Sequence, residues 1–204
     1  PAARQALAMA GVAPEALDLI LVATATPDQP FPSTACNLQA KLRAGRCPAF
    51  DITAACSGFI YGITIAQQFI ESGKYESILV VGTEKISAIT DWSDRNTCVL
   101  FGDGAGAVVL RAREARGAIL SSVLAADGTC GTLLNIPAGG TQRPLNTQRI
   151  ADHEYCIHMS GREVFKLAVI AMQNAALEAL ETAGVAINDV ACIIPHQANM
   201  RIVD

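Results

Sequence analysis

The sequence predicts a layered α/β protein made of two copies of one half-fold, and three features of the chain carry that expectation. Half of the 204 residues are hydrophobic, 17% are charged and only 5% are aromatic. Such a mix, rich in Ala, Val, Ile and Leu, suits strands buried on both faces by covering helices. Helical and strand-like periods alternate along the chain, which implies a mostly parallel sheet. Finally, a stretch near the start of the chain recurs near its end.

Apolar residues at helical spacing cover roughly 2–10, 33–44, 57–72 and 163–183, and strand-like runs cover 18–24, 49–54, 77–83, 105–111, 117–125 and 190–194. The last helix has end signals, with Ser160 and Glu163 at capping-box spacing and Gly184 as a natural stop. In a gapless alignment Ala2 meets Ala175, Leu7 meets Leu180, and Ala10-Gly11-Val12-Ala13 meets Ala183-Gly184-Val185-Ala186. Downstream, Leu19-Ile20-Leu21 lies opposite Cys192-Ile193-Ile194. Helix, glycine stop and following strand recur together, so duplication explains them better than chance. Two such halves packed face to face give α/β layers related by a pseudo-two-fold axis.

The second copy has a strand and a long loop (about 117–160) before its helix, whereas the first begins in the helix at Pro1. The first continues through another helix, two strands and the helix that follows Cys56, whereas the second stops at Asp204, opposite Phe31. Truncation or missing order is therefore expected at both ends.

A net charge of −4, a pI near 5.4 and the lack of a basic stripe with interleaved aromatics argue against a nucleic-acid partner. The seven cysteines, at 36, 47, 56, 98, 130, 156 and 192, are odd in number and form no CxxC pair. That pattern fits a reduced, cytoplasmic protein better than a disulfide framework. No signal peptide and no apolar run of about eighteen residues is visible, so neither export nor a membrane is indicated.

The candidate chemistry centres on Cys56, in Asp51-Ile52-Thr53-Ala54-Ala55-Cys56-Ser57-Gly58-Phe59-Ile60-Tyr61-Gly62, where a strand-like run changes into a helical one. A cysteine at a helix start meets unpaired N–H groups and the positive end of the dipole, which lower a thiol pKa from about 8.5 and favour the nucleophilic thiolate. The plain alternative is a small buried hydrophobe. His196, in Pro195-His196-Gln197-Ala198-Asn199, follows the run Ala191–Ile194, and strand carboxyl ends are where open α/β sheets place ligands. It reads as a donor to a developing oxyanion or as a structural histidine.

His153 and His158 read as surface or packing residues. Cys156 and His158 lack a second ligand pair, which argues against zinc. Phe101-Gly102-Asp103-Gly104-Ala105-Gly106 lacks the last glycine spacing of a dinucleotide loop and precedes a strand, so tight turns and close backbone approach explain its glycines better. Loop 127–158 reads as a solvent loop or as a flap over a site.

Taken together, Asp51 to Gly62, Val80-Val81-Gly82-Thr83-Glu84, Asp94-Arg95-Asn96-Thr97, the glycine segment and Pro195 to Asn199 resemble β-ketoacyl-[acyl-carrier-protein] synthase III of the thiolase-like superfamily. The resemblance implies duplicated thiolase-like α/β layers (α-β-α-β-α), incomplete here. Residues 1–115 would be an N-terminal half lacking its first strands, and 116–204 part of the C-terminal half. It implies an acyltransferase in which Cys56 takes an acyl group from acyl-CoA. Malonyl-acyl carrier protein then attacks that thioester as it loses carbon dioxide, initiating fatty acid synthesis.

By the same resemblance His196 would stabilise the enolate together with a family Asn that belongs beyond Asp204. Arg95, Asn199, Gly161, Met159, Phe101 and Phe31 would contact CoA or substrate, Phe31 reaching across a homodimer interface. Lys166 and Arg201 would receive the acyl carrier protein. No metal and no cofactor beyond the substrates is implied. Relatives that start polyketide or quinolone synthesis, and non-catalytic partner subunits of the same fold, are the alternatives. The latter usually lose the nucleophile that this chain keeps.

Overall fold

Helix α1 (Ala2–Ala10), strand β1 (Leu19–Ala23), helix α2 (Thr34–Leu42), strand β2 (Ala49–Ile52), helix α3 (Gly58–Glu71) and strands β3 (Ser77–Lys85) and β4 (Asp103–Arg111) follow one another in the computed structural model. The structure describes residues 1–112 and 117–198. The described chain divides into two compact units, Pro1–Lys85 with Asp103–Ser122, and Ile86–Gly102 with Val123 onward. The expected boundary between halves, at 115/116, lies outside the described residues.

In the first unit the sheet order is β2-β1-β3-β4. β1 pairs in parallel with both β2 and β3, while β4 runs antiparallel along β3. β1 is the central strand, and every one of its residues is buried. Its side chains alternate between two cores, as the period of a strand requires. Ile20 and Val22 pack with Ala3, Ala6 and Leu7 of α1 and Ala35 and Leu42 of α2. Leu19 and Leu21 face Ala66, Phe59, Ile63 and Phe69 of α3. The unit is thus an α-β-α sandwich, and burial of each such Leu or Ile contributes about 1.5–3 kcal/mol.

Helix ends follow local chemistry. The α1 helix stops at Gly11, whose φ of 62° is in the left-handed region that glycine enters without strain. α2 starts at Ser33, whose hydroxyl accepts the Cys36 N–H, and a second cap comes from far along the chain. Asp51, at the end of β2, accepts the N–H groups of Thr34 and Ala35, both at 2.7 Å. A carboxylate at a helix start is favoured by both the unpaired N–H groups and the dipole.

In the second unit β5 (Leu134–Asn135) pairs antiparallel with β6 (His158–Met159), and helices α4 (Thr147–Ala151) and α5 (Gly161–Ala183) complete it. Loop 127–158 therefore has structure of its own. Ala138, Cys156 and Ile157 are buried, and Arg143 grips Glu154 through two bonds of 2.7 Å.

The internal repeat is seen in local geometry. α5 ends at Gly184 with φ 64° and ψ 29°, against 62° and 35° at Gly11. Val12 donates to the Leu7 carbonyl and Val185 to that of Leu180, each at 3.0 Å. A 3-10 turn follows in both copies, Pro14–Ala16 and Ile187–Asp189.

Four expectations are corrected. The runs 117–125 and 190–194 do not form strands, and Ile193 and Ile194 are 71% and 86% exposed. Ser160 occupies the N-cap of α5 but makes no side-chain cap bond, so the capping box does not form. Gly104 and Gly106 lie inside β4, opposite Glu84 and Gly82, not in a tight turn. Nor does another atom come within 4 Å of a Cβ built on either of them or on Gly102.

Close approach does decide a glycine elsewhere. A Cβ on Gly62 would sit 2.9 Å from Cγ1 of Val80 and 3.4 Å from Cδ1 of Ile52. Val80 is fully buried and β-branched, so it cannot yield. Gly62→Ala is expected to lower unfolding stability by about 1–3 kcal/mol in denaturant titration. Gly128→Ala, where the new Cβ meets nothing within 4 Å, is expected to change it little.

Candidate active site

The carboxyl ends of the three parallel strands meet at one edge of the first unit. Thr24, just beyond β1, donates its N–H to the Ile52 carbonyl at 3.1 Å and accepts the Thr53 hydroxyl on its own carbonyl at 3.0 Å. These bonds hold the segment that leads from β2 to the nucleophile candidate. Ala54 then turns sharply, and Ala55 takes φ 43°. A left-handed alanine costs on the order of 1–3 kcal/mol and persists only where its surroundings over-determine it. Cys56 follows in the 3-10 turn Ala55–Ser57, closed by the Ser57 N–H on the Ala54 carbonyl at 3.1 Å. The α3 helix starts two residues after Cys56, at Gly58, where an added Cβ would lie 3.1 Å from Cβ of Ala23. The thiol is thereby raised on an elbow between sheet and helix, and Cys56 is exposed.

Its placement at a helix start matches the sequence, but the consequence expected for its charge does not. Desolvation by surrounding protein is the largest influence and pushes the thiol up from its ordinary value. The backbone N–H of Cys56 itself works the other way, and the negative charge of Glu84 adds to the rise. Solvent reaches the side chain, yet crowding around the sulfur outweighs the helix start. The free side chain rests as a thiol.

Glu84, near the end of β3, is the residue that sequence reasoning passed over, although it lies within a quoted motif. Its Oε1 accepts the Ala25 N–H at 2.8 Å and its Oε2 accepts the Thr26 hydroxyl at 2.5 Å. Thr26 Oγ1 in turn accepts the Lys85 N–H at 2.8 Å. Elsewhere in the first unit, Phe31 is 84% exposed.

In the second unit the segment bearing Arg95 is knit by two carboxylates. Asp91 accepts the N–H and hydroxyl of Ser93 and lies 2.8 Å from Nδ1 of His153. The Ser93 hydroxyl and His153 hold its carboxyl below the usual carboxylate range. Asp94 accepts the N–H and side-chain amide of Asn96 and the hydroxyl of buried Thr97, and its carboxyl is lowered, first by the Asn96 N–H. Arg95 is exposed between these anchors. Asp91 and Asp94, with Thr132, Ile157, His158, Met159 and Ser160, line a cavity of about 310 Å³. Met159 and Gly161 adjoin, since a Cβ on Gly161 would be 3.5 Å from Cε of Met159.

Phe101 is half-buried, Lys166 is exposed on α5, and His196 is exposed in the segment after Pro195. Asn199 and Arg201 lie outside the described residues. Among the described residues no group of three or more His, Cys, Asp or Glu is placed to hold a metal ion. No described helix is long and apolar enough to cross a membrane.

A left-handed elbow between sheet and helix, an α-β-α unit and a duplicated helix-stop-turn define a thiolase-like α/β fold, and comparison with known proteins agrees. Residues 50–128 match the family model of 3-oxoacyl-[acyl-carrier-protein (ACP)] synthase III. The whole chain is 52% identical to the β-ketoacyl-[acyl-carrier-protein] synthase III of Caldanaerobacter subterraneus subsp. tengcongensis and spans 61% of its length. The crystal structure of 3-oxoacyl-[acyl-carrier-protein] synthase III from Aquifex aeolicus shares 49% identity at a TM-score of 0.87, over 98% of this chain and 60% of that one. The priming β-ketosynthase of the R1128 polyketide pathway is also similar, at 35% identity and a TM-score of 0.84, over 98% of this chain and 59% of that one. Over its whole length the chain is thus similar to β-ketoacyl-[acyl-carrier-protein] synthases III, and it spans about three fifths of the length of these curated relatives.

Because its thiol is raised, Cys56 in the complete protein is expected to react slowly with iodoacetamide at pH 7 compared with an ordinary cysteine. The midpoint of its rate against pH is expected to lie above about 8.5. Peptide-resolved mass spectrometry separates Cys56 from the other six thiols. A midpoint near or below neutrality would restore the dominance of the helix dipole.

Proposed function

We propose that the protein is a condensing acyltransferase of fatty acid synthesis, and that Cys56 carries the acyl group. The observation behind this reading is the elbow itself. It sets a reachable thiol at the carboxyl edge of a parallel sheet, within a chain half-identical to synthases of this kind. In the first half-reaction the Cys56 sulfur attacks the carbonyl of a short acyl-CoA. A new carbon–sulfur bond forms, the bond to CoA sulfur breaks, and CoA leaves as its thiol with the proton given up by Cys56. In the second, malonyl-acyl carrier protein loses carbon dioxide and its enolate attacks the Cys56 thioester. That step releases the β-ketoacyl carrier protein and restores the free side chain. Dividing the reaction in this way replaces one difficult carbon–carbon bond formation with two easier steps.

The other residues take roles in this reading by resemblance. His196 donates to the enolate oxygen, and the Cys56 N–H is one donor to the tetrahedral oxyanion. Arg95, Phe101, Met159, Gly161 and Asn199 hold the CoA and pantetheine chain, and Lys166 and Arg201 meet the acidic carrier protein. Phe31, exposed in a single chain, closes the acyl pocket of a second copy in a cytoplasmic homodimer. Residues 1–115 and 116–204 are the two thiolase-like halves. The polyketide-priming reading is supported by the 35% identity to such a synthase. The higher identity to β-ketoacyl-[acyl-carrier-protein] synthases III, at 52% and 49%, favours the first reading.

The complete protein is expected to gain one acetyl group from acetyl-CoA by intact mass, released by hydroxylamine as a thioester must be. Cys56→Ala is expected to gain none. An unmodified wild type, or an adduct that survives Cys56→Ala, would contradict the reading. Product analysis with malonyl-acyl carrier protein against other acceptors separates fatty acid from polyketide priming.

A further inference from the structure

Glu84 has no place in the acyl transfer just described, yet its carboxylate ties the end of β3 to the segment after β1, beside the elbow that presents Cys56. One oxygen takes the Ala25 N–H and the other the Thr26 hydroxyl, at 2.8 and 2.5 Å. These donors stand 59 and 58 residues earlier in the chain, so the bonds cross from the end of β3 to the segment after β1. Thr26 closes the link by accepting the Lys85 N–H on the hydroxyl that serves Glu84, and its own N–H donates to Thr24 Oγ1 at 3.0 Å. Buried Thr24 then holds the next segment, accepting the Thr53 hydroxyl three residues before Cys56. The chain of contacts therefore runs from Glu84 through Thr26 and Thr24 to Thr53, two residues before the left-handed Ala55.

We propose that Glu84 is a positioning residue for the Cys56 reaction: its carboxylate locks the ends of β1 and β3 together and, through Thr24 and Thr53, fixes the elbow that presents the thiol. The proposal rests on the reading of Cys56 as the acyl-carrying nucleophile. A strained turn keeps its geometry only while its anchors hold, and a small misplacement of a reacting atom is enough to cost about a hundredfold in rate. A neutral acceptor such as Gln would also satisfy the Ala25 N–H. The charge has a further effect, because it opposes ionisation of the free thiol. A thioester carries no such charge, so the opposition ends once the acyl group is on. Glu84 thus disfavours the free thiolate, which is open to stray alkylation and oxidation, and leaves the acyl-enzyme unaffected.

The test compares wild type with Glu84→Gln, Glu84→Ala and Thr26→Val in the complete protein. One readout is the pH dependence of Cys56 alkylation by iodoacetamide; the other is the rate of acetyl transfer from acetyl-CoA to Cys56. Removing the charge in Glu84→Gln is expected to move the alkylation midpoint to lower pH. Thr26→Val keeps the charge and cuts the clamp, so its midpoint is expected to stay while acetyl transfer falls by about tenfold or more. Glu84→Ala is expected to show both effects, with Gln restoring most of the lost transfer rate. If wild-type Cys56 is acetylated but all three variants match it in midpoint and rate, the proposal is overturned alone. If wild-type Cys56 takes no acetyl group, the nucleophile reading is overturned and this proposal with it.

Discussion

Helix α3 lies against the sheet only because Gly58 and Gly62 put no side chain between them. Gly62 faces Val80 of β3 and Gly58 faces Ala23 at the end of β1, each with less space than a methyl group needs. Seating the helix this closely fixes where its first turn stands above the strand ends. The chain arriving from β2 then has only the five residues Thr53 to Ser57 in which to reach that turn, and within them Ala55 is driven into the left-handed region. The exposure of Cys56 is the product of that short connection. A looser helix would relax the elbow and let the thiol fold back among its neighbours.

The same edge of the sheet collects negative charge for different ends. Asp51 gives its carboxylate to the start of α2, where N–H groups and dipole welcome it. Glu84 satisfies no helix; it joins two strand ends beside a sulfur that must at some point become nucleophilic. Burial and this charge act in one direction on Cys56, and both keep it protonated. Ionisation at the moment of acyl transfer then depends on what the bound substrate and the remaining donors supply.

Much of this was legible in the chain. The elbow could be placed because a Val- and Ile-rich run gives way to a helical pattern across Asp51–Gly62, a change of period that marks a strand-to-helix junction. The duplicated glycine stops could be placed too, and Gly11 and Gly184 agree within a few degrees. What failed were features set by a distant partner or by local backbone angles that residue spacing does not determine. The run 190–194 has the composition of a strand, but a strand exists only where a ladder is offered. Ser160 and Glu163 have the right spacing for a capping box, but that spacing does not set the backbone angles the box requires. Glu84 was invisible as a clamp because its partners stand nearly sixty residues away. The rise of the Cys56 thiol was missed for a related reason: a helix start is local and readable, whereas desolvation depends on everything packed around it.

A crystal structure of the complete protein after exposure to acetyl-CoA tests the central claim most directly. The account predicts density for an acyl group continuous with Sγ of Cys56. It also predicts that Ala55 keeps its positive φ and that the contacts from Glu84 to Ala25 and Thr26 remain in place. An acyl group on another residue, or a bare Cys56 on an elbow relaxed to ordinary backbone angles, would contradict it.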